Sequence, residues 1–332
     1  MSKPSAFRLP PLLLLFDSYA LPVKEGEKDK WIWPVPFTIL NLSVLTVFWV
    51  GWSWTAVAVA AFMYVVRMFA ITGVYHRYFS HRTYKTSRWF QFCLAVLGNS
   101  AVQRGPLWWA AHHRHHHKVS DTPQDAHSPG QKGFWTSHML WWSWRSNAAT
   151  RTDLINDFAK YPELVFLDRF DSFVPILLGG CMYALGATLE AFAPGLGTNG
   201  PQMLLWGFVI SSVVLFHGVA TINSLSHVFG SRRYKTTDDS RNNFLLALIT
   251  LGEGWHNNHH HYCNSTRQGF FWWEIDITYY TLKGLEKLGL VWDLKPVPDR
   301  IKYGTTVPAV RPHEEVPALV AKIGENLVIP TV

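Results

Sequence analysis

Residues 36–75 form a run of forty positions in which Arg67 is the only charged side chain. Spanning a bilayer takes about 20 apolar residues, so a run of this length has room for two crossings. Gly51-Trp-Ser-Trp54 interrupts it near the middle, and the run reads as a hairpin of two helices over about 36–52 and 54–75. A second pair follows at about 173–192 and 203–226, parted by the uncharged turn sequence Ala193-Pro-Gly-Leu-Gly-Thr-Asn-Gly-Pro201. Charged residues make up only 16% of the chain, against roughly 25% in soluble proteins, which argues for one membrane-embedded unit. The expected fold is an all-α integral membrane protein with four transmembrane helices in two hairpins and a cytoplasmic helical cap. Its parts are an N-terminal segment 1–35, a membrane domain 36–295 and a C-terminal tail 296–332, whose last thirty residues read as a loosely packed stretch with one short helix.

The basic residues decide the orientation. Of thirty Lys and Arg, twenty-nine lie in 1–35, 76–172 and 227–332, and none in the connections 51–54 and 193–201. By the positive-inside rule the three basic segments face the cytoplasm, with both ends inside. The +7 formal charge therefore points to anionic headgroups of membrane lipids, and not to nucleic acid. Cys93, Cys181 and Cys263 show no paired spacing, which suits a reducing compartment, and Leu12–Phe16 is too short for a signal peptide. Segments 88–102 and 270–290 read as amphipathic helices, the second with Phe271, Trp272, Ile275 and Tyr279 on one face. Arg67, inside a span, calls for a polar partner or a water-filled region.

Histidine placement carries the chemistry. His76-Arg-Tyr-Phe-Ser-His81 ends the second span, and two further clusters are His112-His-Arg-His-His-His117 and His256-Asn-Asn-His-His-His261. The latter two each contain H-x-x-H-H, at 113/116/117 and 256/259/260. Spacings of three and four put the imidazoles of each triplet on one helix face, where they can converge on one metal. Asn223-Ser-Leu-Ser-His227 places an amide and an imidazole on one face at the end of the last span. Imidazole suits iron, zinc, copper or nickel, but about nine histidines exceed one tetrahedral zinc and fit two metals. His138, His217 and His313 read as lone structural histidines, although His217, inside a span, is also a candidate tunnel residue. Glu253-x-x-His256 is a single E-x-x-H, where carboxylate-bridged bundles need two, so Glu253 reads as a residue that orients a ligand imidazole.

In this order and spacing the three boxes resemble the membrane fatty-acid desaturase family, in particular its stearoyl-CoA (Δ9) desaturase-like branch. The flanks Ser120-Asp-Thr-Pro-Gln-Asp-Ala-His-Ser128, Gly133-Phe-Trp-Thr-Ser-His138 and Gly252-Glu-Gly-Trp-His256 carry the same likeness, over roughly residues 35–295. The resemblance implies a di-iron site held by His76, His81, His113, His116, His117, His227, His256, His259 and His260. Asn223 would reach one iron through a water. His112, His115 and His261 have no counterpart in the boxes and fall beside the ligands or on the surface. In the animal acyl-CoA enzymes an Arg-Asp pair before the second triplet contacts coenzyme A; Ala111-His112 stand there in this chain, while Arg145 matches a further basic contact.

The activity that the resemblance implies is that of an oxygen-dependent acyl-CoA desaturase, which places a cis double bond, at Δ9, in a saturated chain using two Fe2+ and O2. An acyl-lipid desaturase and a histidine-box hydroxylase of lipids or alkanes are the alternatives, with a metal-binding membrane transporter as a remote one. With no G-x-G-x-x-G and no cysteine cluster in the sequence, electrons would come from a separate carrier of ferredoxin, rubredoxin or cytochrome b5 type with its NAD(P)H reductase. Ala60 and Tyr64 precede His76 by 16 and 12 residues, about 24 and 18 Å along a helix, the depth at which an acyl tail should stop.

Overall fold

Gly51, at φ 72°, ends the first apolar helix, and Ser53 begins the next by accepting the backbone N–H of Ala56 with its side chain. That hairpin opens a largely helical protein, seen in a computed structural model that describes residues 17–19 and 35–304. The first helix, α1 (Val35–Val50), is interrupted by a 3-10 turn at Val44–Thr46 and has only sixteen residues. The second, α2 (Trp54–Ser80), runs five residues past its expected end, with an α-helical part to Phe69 and a π-helical part from Ala70 to Ser80. Helices α3 (Arg88–Asn99), α4 (Pro106–Val119) and α5 (Pro162–Arg169) follow, then α6 (Phe173–Phe192) and α7 (Gly200–His227). Among the described residues, α2, α6 and α7 are long and apolar enough to cross a membrane; α1 falls short of that length.

The second hairpin closes where Asn199 caps α7 by accepting the N–H of Gln202, with Pro201 in the first turn. A Cβ at Gly186 would lie 2.3 Å from the carbonyl oxygen of Asn199, so α6 and α7 meet there on backbone, as small residues allow between membrane helices. Phe62, Val65, Ile176, Leu177 and Val214 on these helices are all more than 45% exposed, an apolar outer surface suited to lipid.

Arg67 is fully buried on α2. Its guanidinium donates to the hydroxyls of Ser211 and Ser212 on α7 and to the carbonyls of Met63 and Ser100. The polar surroundings expected from the sequence are therefore four oxygens from three segments, with no carboxylate among its described partners. Removing both serine hydroxyls should cost more than removing the charge, because a buried, unsolvated cation loses several kcal/mol. We expect the Ser211→Ala/Ser212→Ala double variant to melt lower in detergent than Arg67→Met. Equal or reversed melting temperatures would refute this assignment.

The remaining segments build the site. Asp168 on α5 caps α4, its Oδ1 accepting the N–H groups of Leu107 and Trp108 at 2.9 and 2.7 Å, its Oδ2 the hydroxyls of Thr150 and Tyr19 at 2.7 and 2.8 Å. Two short helices, α8 (Phe244–Ile249) and α9 (His256–His261), follow α7, and then α10 (Ile277–Lys287). A two-residue antiparallel pair, β1 (Lys85–Thr86) with β2 (Val291–Trp292), ties the C-terminal part to the start of the middle segment.

The expected helix over 270–290 is half wrong. Asp276 starts α10 by accepting the N–H of Tyr279, and 270–276 are turns, so Phe271, Trp272 and Ile275 do not share a helical face with Tyr279. Two carboxylates turn inward there and fix the backbone: Glu274 pairs with Arg233 and Asn258, and Asp276 with Arg77. His313 and the expected tail helix lie outside the described residues, as does most of the N-terminal segment.

Candidate metal centre

The π-helical end of α2 brings the first histidine pair together. Five residues apart, His76 and His81 would diverge on an α-helix. Here the N–H of His81 bonds the carbonyl of His76 at 3.2 Å, the i to i+5 step of a π turn, and both rings face one point. Helix α4 supplies His113, His116 and His117, the end of α7 supplies His227, and α9 supplies His256, His259 and His260. The nine imidazoles form two groups, His76, His81, His113, His117 and His259 in one and His116, His227, His256 and His260 in the other.

Each triplet therefore serves both groups, and the expectation of one triplet per metal is corrected. Residues i and i+4 (113 with 117, 256 with 260) stay in one group. The i+3 residue points about 100° away from its i+4 neighbour and enters the other. Two helices laid against a pair of sites can contribute to both.

The nitrogen spacing is compatible with a metal ion in each group. In the five-membered group Nε2 atoms lie 3.0 Å apart for His76 and His259, 2.9 Å for His259 and His117, 3.0 Å for His117 and His113, and 2.9 Å for His113 and His81. An imidazole Nε2 carries either one hydrogen or one lone pair, so a chain of five can make at most two proper hydrogen bonds. A single cation satisfies all five. Nitrogens about 2.1 Å from one ion lie about 3.0 Å apart at a right angle and about 3.4 Å apart at a tetrahedral angle. In the second group Nε2 of His227 and His256 are 3.1 Å apart, and Nε2 of His260 is buried with no hydrogen-bond partner.

Carboxylates fix the tautomers. Nδ1 of His116 donates to Asp125 at 3.0 Å, of His227 to Asp121 at 2.8 Å, of His260 to Asp238 at 2.7 Å and of His76 to Glu253 at 2.5 Å. With Nδ1 carrying the proton, Nε2 turns a lone pair toward the group. Burial would raise the Asp121, Asp125 and Asp238 carboxyls, yet the imidazoles they face hold all three well below the ordinary range. Burial in turn pushes His81, His113, His117, His256 and His259 well below the usual imidazole value, and His260 to about 4. These six rings are thus neutral at pH 7, the form that binds a metal.

The family model for fatty acid desaturases matches residues 52–288. The chain belongs to that family. It is 37% identical over 248 residues to the Delta-9 acyl-lipid desaturase 1 of Arabidopsis thaliana, covering 74% of this chain and 77% of the relative. It is 38% identical over 288 residues to the sn-1 stearoyl-lipid 9-desaturase of Synechocystis sp., covering 86% of each. The Acyl-CoA 5-desaturase AL21 of Anemone leveillei is 35% identical over 299 residues, 86% of this chain and 88% of the relative.

Beside the two imidazole groups a cavity of about 40 Å³ lies between α2 and α7. Its polar end is His76, His113, His116, His256, Glu253 and Asn223, so both imidazole groups open onto it. Its apolar end is Met68, Ile71, Val219 and Ile222.

Other residues singled out in the sequence stand elsewhere. Ala60 is buried and Tyr64 donates to the carbonyl of Ile249 at 2.6 Å; the cavity stops at Met68, one helical turn nearer the histidines. His217 does not line the cavity: Val219, Ile222 and Asn223 face it, and His217, turned the other way, bonds His138 at 3.1 Å. His112 donates to the carbonyl of Ala149 at 3.2 Å against Trp108, His261 stacks on Tyr234, and His115 is half-buried on the far side of α4; none joins either group. Arg145 lies in a 3-10 turn at Arg145–Asn147.

Sequence reasoning missed Asp121, Asp125, Asp238 and His127, which sit in irregular segments with no periodicity to mark them. His127 stacks on His116 at 4.3 Å and is kept neutral by burial, its value lowered to about 3. The flank Ser120–Ser128, which holds three of the four, was the available signal.

If the two groups are two metal sites, the purified protein carries two ions per chain, and His227→Ala carries one because the five-imidazole group is untouched. Elemental analysis checks both figures. A single ion in the parent protein, or two retained in the variant, would contradict the division.

Proposed function

We propose that this chain is a di-iron, oxygen-dependent desaturase that introduces a cis double bond at Δ9 of a saturated acyl chain carried on a membrane glycerolipid. The observation that carries the reading is the cavity: imidazoles of both groups at one end, hydrocarbon side chains at the other. An unactivated methylene has no acidic proton, so side-chain acids and bases cannot start the reaction. Two irons, when bound, supply an oxidant derived from O2 strong enough to break such a C–H bond. Nitrogen contacts near 3.0 Å favour right-angled, higher-coordinate ions such as Fe2+ over tetrahedral zinc.

The chain's own residues do the positioning. His76, His81, His113, His117 and His259 hold one iron and His116, His227, His256 and His260 the other, and Asn223, on the cavity wall beside the second group, supports a bound water there. Met68, Ile71, Val219 and Ile222 hold one methylene pair against the imidazole end and exclude water from it. Per turnover one –CH2–CH2– unit, O2, two electrons and two protons give one –CH=CH– unit and two waters. The two electrons come from a separate carrier of ferredoxin, rubredoxin or cytochrome b5 type and its NAD(P)H reductase, docking on a basic cytoplasmic face. In this reading α1 is a fourth, short span, and the histidine end of the bundle faces the cytoplasm.

The sequence favoured coenzyme A as the acyl carrier. At the position of the coenzyme-binding Arg-Asp pair, however, Ala111 and His112 are both buried, and the His112 ring is engaged with Ala149. That supports a lipid-borne chain, in keeping with the lipid substrates named for two of the relatives above.

Expression in a desaturase-deficient host should restore monounsaturated fatty acids in the glycerolipids, and His116→Ala should not. New alcohols in place of monoenes would identify a hydroxylase instead. Chain length tests the tunnel: Tyr64→Ala should move products toward longer chains, and Met68→Phe, at the observed end of the cavity, toward shorter ones. Gas chromatography showing unchanged product lengths in both would place the chain elsewhere.

A further inference from the structure

The two imidazole groups are surrounded very differently. In the four-membered group three of the four rings donate to a carboxylate, through Asp125, Asp121 and Asp238 at 2.7 to 3.0 Å. Those carboxylates are otherwise met by neutral donors: backbone N–H groups of Asp121, His127, Asp239 and Ser240, and the Ser128 hydroxyl. Among the described residues no Arg or Lys pairs with any of the three. In the five-membered group only His76 faces a carboxylate, Glu253, and Arg77 shares it through Nε at 3.3 Å and a terminal nitrogen at 3.0 Å. No described carboxylate pairs with His81, His113, His117 or His259.

We propose that the two irons of the centre are electronically unequal by construction, with the four-imidazole position the more easily oxidised. The inference rests on the di-iron reading above and adds which site takes the ferric charge first. Hydrogen bonding to a carboxylate makes an imidazole more basic and pushes electron density onto the metal. Three buried negative charges on one side, against two carboxylates, Glu253 and Asp276, sharing one guanidinium on the other, stabilise Fe3+ over Fe2+ at the first position. The five imidazoles of the second position, which add no charge as ligands, favour Fe2+. Asp121, Asp125 and Asp238 are therefore positioning residues that act on the metal through the ring each one holds.

The test is an anaerobic oxidation of the purified, fully ferrous protein with ferricyanide, each Fe2+ giving one electron and becoming Fe3+ as ferricyanide becomes ferrocyanide. Mössbauer and paramagnetic resonance spectra follow it. Iron content is measured first: fewer than two irons per chain defeats the di-iron reading itself. With two irons present, the inference expects two separate steps and a half-oxidised state with one ferric ion. Asp125→Asn and Asp238→Asn should raise the potential of the first step alone, and Glu253→Gln that of the second alone. Both irons oxidising together, or Asp125→Asn shifting the second step, would overturn it. Should an Asp variant lose iron, the parent protein still decides: nitrogen hyperfine couplings of its ferric ion count four imidazoles if the inference holds and five if it fails.

Discussion

Nine imidazoles crowded into a buried interior present more lone pairs than their neighbours can accept. The Nε2 atoms of the five-membered group approach to about the spacing of adjacent ligands on one ion, and they cannot satisfy one another as hydrogen bonds. Much of the rest of the protein serves that arrangement. Asp168 caps α4 and so aims three of the rings; the π turn at the end of α2 aims two more; Arg77, itself buried, holds Glu253 and Asp276 and so joins α2 to the start of α10. Two of these devices use a buried charge: Asp168 is satisfied by four neutral donors, and Arg77 by two carboxylates.

The membrane helices contribute the other half of the site. α2 and α7 bring Met68, Ile71, Val219 and Ile222 to the imidazoles, while Arg67 clamps the same two helices below through Ser211 and Ser212. A cavity of about 40 Å³ holds only a few water-sized groups, so on the proposed reading a full acyl chain would have to part the side chains between Met68 and Tyr64. The phenol of Tyr64 donates to Ile249, the last residue of α8 and the neighbour of the cavity residue Thr250.

Much of this was legible in the sequence, and the failures have physical causes. Box histidines stand out because imidazole at spacings of three, four and five is rare without a metal, and all nine gather as the boxes implied. Which ring serves which group was not legible, since that depends on a π turn and on the face α4 and α9 turn to each other. Asp121, Asp125 and Asp238 escaped notice because loops leave no period to read. The helix expected over 270–276 failed because Glu274 and Asp276 form buried ion pairs that outweigh the apolar pattern of Phe271, Trp272 and Ile275. His217 was drawn to the tunnel by its place in a span, but a helix has two sides and His138 waits on the other.

The proposed chemistry requires two metal positions, one inside each group of imidazoles. Anomalous diffraction recorded on either side of the iron absorption edge, from crystals of the purified protein, tests this most directly. It should give two iron peaks per chain, one ringed by His76, His81, His113, His117 and His259, the other by His116, His227, His256 and His260. One peak, a zinc signal in place of iron, or a metal outside these rings would contradict it.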